Sequence, residues 1–139
     1  MADALASGPT VRERVRWSDV DKMGVVYYGR YLRFMEAAEA ELFRALDFPY
    51  DTLSDELGVW IARVRVELDF RAPSRLDDEI VCRALVRKVS GSSFTLAFPI
   101  DRGDGVRLAE GVLVLAALDR ETLRPARLPS ALSRALRGG

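Results

Sequence analysis

The chain has 139 residues, 49% of them hydrophobic and 30% charged, with 10 glycines and 6 prolines; this composition predicts one globular domain over residues 1–139 and excludes fibrous and disordered classes. Its 21 basic and 21 acidic residues cancel, which argues against the positive field that non-specific nucleic-acid binding draws on, so no nucleic-acid partner is expected. There is no histidine, so imidazole-based triads and His-containing zinc sites are excluded, no metal is expected, and acid–base chemistry near neutrality falls to Asp and Glu.

The opening MADALASGPT has no basic segment followed by an apolar one, so no secretory leader is read there. From Thr10 to Trp17 the chain alternates, Val11, Val15 and Trp17 against Arg12, Arg14 and Arg16, which predicts a half-buried strand. A polar turn, SDVDKMG, follows. From about Gly29 to Leu46, residues Tyr31, Phe34, Met35, Ala38, Leu42, Ala45 and Leu46 recur at steps of three and four, the apolar face of one long helix. Arg30, Arg33, Glu36, Glu39, Glu41 and Arg44 fall mostly on its other faces.

Beyond a loop containing Pro49, four strand-like segments follow with no second helical pattern of comparable strength. The first sets Val64, Val66, Leu68 and Phe70 against Arg63, Arg65, Glu67 and Asp69. The second, Ile80 to Val89, contains the only cysteine, Cys82; with no internal disulfide available, a reducing, cytoplasmic compartment is expected. The third aligns Phe94, Leu96, Phe98 and Ile100, with Pro99 marking an edge or a bulge. Asp104-Gly105 reads as a hairpin turn into the fourth, Val106 to Leu118, which is apolar on both faces from Val112 onward and is expected to be central and covered twice. The apolar run Val112 to Leu118 is far shorter than the roughly 20 residues needed to span a bilayer, so no membrane is expected. Pro129 to Arg137 reads as a short amphipathic helix through Leu132 and Leu136. The order, one strand, one long helix and four strands, predicts an antiparallel sheet packed on one buried helix.

Asp19 and Asp21 stand just ahead of that helix. As a polar turn they place charge where unpaired N–H groups and the helix dipole favour it. The same physics lets a helix start bind a developing oxyanion while a nearby carboxylate attacks or activates water. Spacing alone leaves both readings open.

The stretch VRWSDVDKMGVVYYGRYLRFMEAAEAELFRAL, an aromatic residue, an Asp-x-Asp and a Gly-Val-Val-Tyr before a long helix, resembles the N-terminal signature of the 4-hydroxybenzoyl-CoA thioesterase family. FRAPSRLDDEIVCRALVRKVSGSSFTLAF and AEGVLVLAALDRETLRPARLP match in order further along, so the resemblance covers nearly the whole chain. It implies an α+β architecture, the hotdog fold, in which a five-stranded antiparallel β-sheet wraps around one long α-helix. It further implies hydrolysis of an aromatic or short-chain acyl-CoA to the carboxylic acid and free CoA, with no cofactor. Asp21 would then be the catalytic carboxylate, as nucleophile or as general base. The peptide N–H that polarises the thioester carbonyl falls at Tyr28; some relatives carry His there, so a mechanism that needs that imidazole does not transfer. Gly24 would permit the tight turn and Asp19 would cap or position it.

For the acyl pocket the candidates are Tyr27, Tyr31 and Trp60, with Tyr28 and Phe34 beside them, although core packing is the favoured reading for Tyr31 and Phe34. Arg87, Lys88, Ser90, Ser92, Arg124 and Arg127, near strand ends, are the candidate contacts for the nucleotide of CoA. Glu36 and Glu39 are rival carboxylates, because another hotdog branch uses a helix-borne glutamate, but a charged helix face reads as solvated. A hydratase is disfavoured by the missing histidine, and the remaining alternative is a non-catalytic acyl-CoA or acyl-carrier binding protein. The resemblance also implies a homo-oligomer, a dimer or a tetramer, with sheets paired edge to edge and acyl sites at the subunit interface.

Overall fold

The computed structural model describes residues 5–139. The first four, part of the opening stretch read for a leader and of the unit expected over 1–139, lie outside the described residues. Strand β1, Val11–Arg14, leads into a 3-10 turn at Trp17–Asp19, a second at Tyr28–Arg30 and then helix α1, Tyr31–Ala45. Helix α2, Tyr50–Leu57, precedes β2, Trp60–Phe70; β3, Glu79–Cys82, β4, Leu85–Val89, β5, Ser93–Arg102, β6, Arg107–Leu118, and α3, Ser130–Leu136, complete the chain. All pairings are antiparallel, in the order β1, β3, β5, β6, β2, with β4 also on β5.

Helix α1 lies on the inner face of this sheet. Phe34, Ala38 and Leu42 are fully buried against Ile80, Phe94, Leu96, Phe98, Ile100 and Leu115 from the strands. The packing is close: a Cβ on Gly111 of β6 would stand 2.8 Å from the Met35 sulfur, so the end of that side chain occupies the space glycine leaves. The helix ends at Asp47, in a left-handed conformation (φ 66°), where the Phe48 N–H reaches back to the Phe43 carbonyl in a Schellman-type turn.

Several expectations need correction. The segment Ile80 to Val89 is two strands, making six where five were expected. Cys82 pairs with Ile100 and Leu85 with Ala97 in one continuous register, which sets Arg83 opposite Pro99; with no N–H at Pro99 the ladder breaks there. Strand β5 is central, not an edge. Trp17, expected on the buried side of the first strand, sits beyond β1 and is 79% exposed. The loop after Pro49 holds α2, whose eight residues are too few for periodicity to reveal; Pro49 precedes it and Gly58, at φ 73°, ends it. On the helix, Phe43 and Glu39 are buried while Ala45 is exposed.

The outer face of β6 is not sealed: Val112, Val114 and Ala116 are only partly buried. Strand β2 is a sheet edge, and its alternation is interrupted. Arg63 opposes Leu115 while Arg65 opposes Val114, so one extra residue is accommodated as a bulge at Val64. Arg63 therefore joins Val66, Leu68 and Phe70 on the inner face, where simple alternation had placed it outside. Helix α3 has Leu132 and Leu136 fully buried, and the Leu136 carbonyl accepts the Ala6 N–H. Among the described residues no helix is long and apolar enough to cross a membrane.

Candidate active site

Residues 19–28 form a small tied loop in front of α1. Val20 and Val26 bridge, the Asp21 N–H donates to the Val25 carbonyl, and the Gly24 N–H returns to the Asp21 carbonyl at 2.9 Å. The turn needs φ +80° at Gly24, a region a side chain rarely adopts. The Asp21 carboxylate accepts the Met23 N–H at 2.8 Å and is partly exposed. Outward anchoring comes from β-bridge Val25 to Arg75 and from the Val26 N–H on the Ser74 carbonyl.

Asp19 is the buried counterpart, its side chain 1% exposed. Its Oδ2 accepts the Arg16 N–H at 2.7 Å and the Arg33 guanidinium at 2.7 Å, and its carbonyl accepts the Tyr27 N–H. Arg33 also donates to Glu13. The loop is thus tied to the first turn of α1 through a guanidinium. Sequence periodicity put Arg33 on the outer side of the helix and gave no sign of this role.

The chain then turns into α1 through Tyr28–Arg30. The N–H groups of Tyr28 and Gly29 have no acceptor among the described residues, as expected of donors in a first helical turn. Gly29 lies close under Tyr27: a Cβ there would stand 2.9 Å from the ring and would displace that exposed side chain. A cleft of about 440 Å³ is lined by Asp21, Tyr27, Tyr28, Tyr31, Phe70 and Pro73, with others. Tyr31 presents little of itself to it. That side chain is 3% exposed, hydrogen-bonded to Ser74 at 3.1 Å, and burial pushes its phenol pKa up against the opposing Ser74 bond.

Not all candidates converge. Trp60 stands at the far end of β2 from Phe70, roughly 33 Å away at 3.3 Å per residue. It donates to the Arg120 carbonyl and lies under the Arg120 guanidinium, 4.3 Å from it. Ser90 and Ser92 are at that same end, in the turn before Ser93, which pairs with Ala116. The Ser90 hydroxyl is engaged with Ser93. Arg87 and Lys88 are exposed on β4, and Arg124 and Arg127 are exposed on the loop whose Leu128 N–H donates to Gly91. Within one chain, then, Asp21, Gly24, Tyr27, Tyr28 and Tyr31 assemble at one end and Trp60, Ser90 and Ser92 at the other, while Arg87 and Lys88 lie level with the middle of β2, Arg87 beside Pro99, Arg107 and Glu110.

The helix glutamates divide. Glu36 is exposed, as expected, but Glu39 is buried at 2% and the solvated reading fails for it. Its Oε1 accepts from both Tyr50 and Arg63. Burial, then the hydrogen bond and charge of Glu39, push the Tyr50 phenol upward against the Arg63 charge. The bulge at Val64 supplies Arg63, which is why the alternation concealed the partner. Among the described residues no group of three His, Cys, Asp or Glu is placed to hold a metal ion.

Residues 15–136 match the family described as the thioesterase-like superfamily. The chain is 29% identical over 125 residues to an acyl-CoA thioesterase, YbgC, of Haemophilus influenzae, covering 90% of this chain and 91% of that protein. It is 25% identical to a gentisyl-coenzyme A thioesterase of known structure, with a TM-score of 0.78 over 89% of this chain and 98% of the other. A 1,4-dihydroxy-2-naphthoyl-CoA thioesterase from Synechocystis shares the fold, with a TM-score of 0.86 at 19% identity over 94% and 96% of the two chains.

Proposed function

The chain belongs to the thioesterase-like superfamily, and on that premise we propose that it hydrolyses aromatic or short-chain acyl-CoA thioesters to a carboxylic acid and free CoA. The observation that carries this is one cleft holding the Asp21 carboxylate and the start of α1, where the Tyr28 and Gly29 N–H groups have no acceptor among the described residues. A thioester carbonyl seated there receives those N–H groups as charge builds on its oxygen. Asp21 either takes a proton from a water that attacks the carbonyl carbon, or attacks it directly to give a mixed anhydride that water then opens. In both routes the C–S bond breaks and CoA leaves as the thiol.

The reading includes a cytoplasmic homo-oligomer, with dimer or tetramer as its forms. Edge strand β2 supports it, being exposed on both faces with Val64, Val66 and Phe70 about half exposed. Antiparallel pairing of two β2 edges about a two-fold axis would bring the Trp60 end of one copy beside the Phe70 end of the other. The acyl and CoA candidates toward that end, Trp60, Ser90, Ser92, Arg124 and Arg127, would then serve Asp21 of the neighbouring copy. The partly buried outer face of β6 offers a second surface for a tetramer.

Release of free thiol from a panel of aromatic and aliphatic acyl-CoAs tests the activity. Turnover of any of them supports the reading; saturable binding with no thiol released would make the chain a non-catalytic acyl-CoA binder.

A further inference from the structure

Leu32, Met35 and Glu39 of α1 fall at steps of three and four and face β2, and Tyr28, in the 3-10 turn before the helix, stands four positions ahead of Leu32. A groove of about 420 Å³ lies between helix and strand, within the range of small-molecule sites. Leu32, Met35, Val64, Val66 and Leu113 make its apolar walls, exposed Glu36 and Arg65 stand at its rim, and Glu39 and Arg63 line it further along. Tyr28 and Glu39 are eleven positions apart, about 16 Å at 1.5 Å per residue. An extended chain advances roughly 1.2 Å per bond, so the length of about 13 bonds, part of it taken up by the hydrogen bonds at the two ends, bridges the thioester position and this polar end.

The polar end is incompletely used. Both Tyr50 and Arg63 bond to Oε1 of Glu39, and Oε2 has no hydrogen-bond partner among the described residues. No sealed side-chain polar atom in those residues lacks a partner, so Oε2 keeps a small exposure, on a residue that lines the groove. Arg63 engages only Nη2, with Nε and Nη1 unbonded among the described residues, and its side chain is 47% exposed. An acceptor and a cationic donor therefore stand side by side at the end of an apolar groove. A hydroxyl satisfies both at once. A carboxylate satisfies only the donor, and it would add a second anion to a guanidinium whose charge Glu39 already balances.

We propose that the groove between α1 and β2 receives the acyl chain and that Arg63 and Glu39 select medium-length acyl groups bearing a distal hydroxyl. The proposal rests on the thioesterase activity proposed above and goes beyond its aromatic or short-chain range by naming a longer, hydroxylated substrate class. The hydroxyl donates to Glu39 Oε2 and accepts from Arg63, while the chain replaces water along the apolar walls.

The test compares kcat/KM for thiol release from decanoyl-CoA and 10-hydroxydecanoyl-CoA, with butyryl-CoA and benzoyl-CoA as short controls, on the full chain. The native protein is expected to favour the hydroxylated substrate at least about tenfold, the scale of one charge-assisted hydrogen bond. In Arg63→Met the preference falls toward one. Because a lone buried Glu39 could unfold that variant, Glu39→Leu combined with Arg63→Met removes the pair together, a change proteins tolerate better, and its ratio is expected to fall below one. Equal native rates for the two long substrates overturn the proposal, as does a preference that survives the double variant. Turnover of the short controls without either decanoyl compound also overturns it, and points to a second copy filling the groove. If no acyl-CoA of any length is cleaved, the thioesterase reading fails and takes this proposal with it.

Discussion

Replacing Asp21 by Asn separates chemistry from architecture. In the structure the carboxylate accepts one hydrogen bond, from the Met23 N–H at 2.8 Å, and the Asn side-chain oxygen can accept it too. Stability should therefore move by no more than about 0.5 kcal/mol, the scale of an ordinary surface substitution. Asn is neither a base for water nor a carboxylate nucleophile. General-base assistance is worth roughly a hundred to ten thousand fold, or about 2.7 to 5.4 kcal/mol of barrier, and loss of a covalent route costs more. Turnover should fall at least about a hundredfold with acyl-CoA binding retained. Asp19→Asn should show the reverse signature. Its carboxylate is 1% exposed and bonded to Arg33, so losing the charge removes a charged hydrogen bond worth about 1.5 to 3 kcal/mol, with a smaller loss of turnover. Exposed Glu36→Gln should change little in either respect. Thiol release at saturating and limiting acyl-CoA, beside urea unfolding of each variant, makes the comparison. Near-native turnover in Asp21→Asn, or a larger loss from Glu36→Gln with the fold intact, would show that the carboxylate has been misassigned.

Alkaline stability should decline from about pH 9. Burial pushes the Cys82 thiol from 9.0 up to about 12, and burial likewise raises the Tyr50 and Tyr31 phenols. The unfolded chain then loses protons that the folded one keeps, so stability is fully present below these unfolded values and falls as pH rises, by up to about 1.4 kcal/mol per pH unit per titrating group. Urea midpoints that stay flat from about pH 8 to about pH 10.5 would contradict this. Light scattering at micromolar concentration should find no major monomer, and a stable, active monomer would refute the interface reading. Activity should survive exhaustive chelation, since the chain has no histidine and its one cysteine is buried; loss of turnover with EDTA, restored by one specific metal, would overturn the proposed chemistry.

Much of the fold was legible because its signals are local. The helix stripe through Tyr31, Phe34, Ala38 and Leu42 and the alternation of Phe94 to Ile100 each report burial along a single element, and both residue sets lie in the core. The Asp104-Gly105 turn is likewise set by its own residues, with Gly105 at φ 94° and the Arg102 N–H on the Val106 carbonyl. What the pattern could not carry was pairing across elements. Breaking β3 from β4 depends on Pro99 in another strand standing opposite Arg83, and α2 is shorter than the window in which a helical period becomes visible.

The candidate site divides along the same line. Residues 19–28 are contiguous, so a motif can describe the loop, and its turn at Gly24 is a property of the loop itself. Arg33, Glu39 and Arg63 escaped because each was assigned to solvent by the period of its own element. For Glu39 and Arg63 one event reverses that assignment: a single extra residue at Val64 rotates Arg63 onto the inner face of β2, where Leu115 lies opposite and Glu39 lies above it. Without the bulge, Arg63 would point outward, and a glutamate at position 39 would be buried without a cation, a cost large enough that helix and strand cannot be read independently there. The bulge is thus the local feature on which the polar end of the groove depends, and a period-two reading of a strand is blind to it.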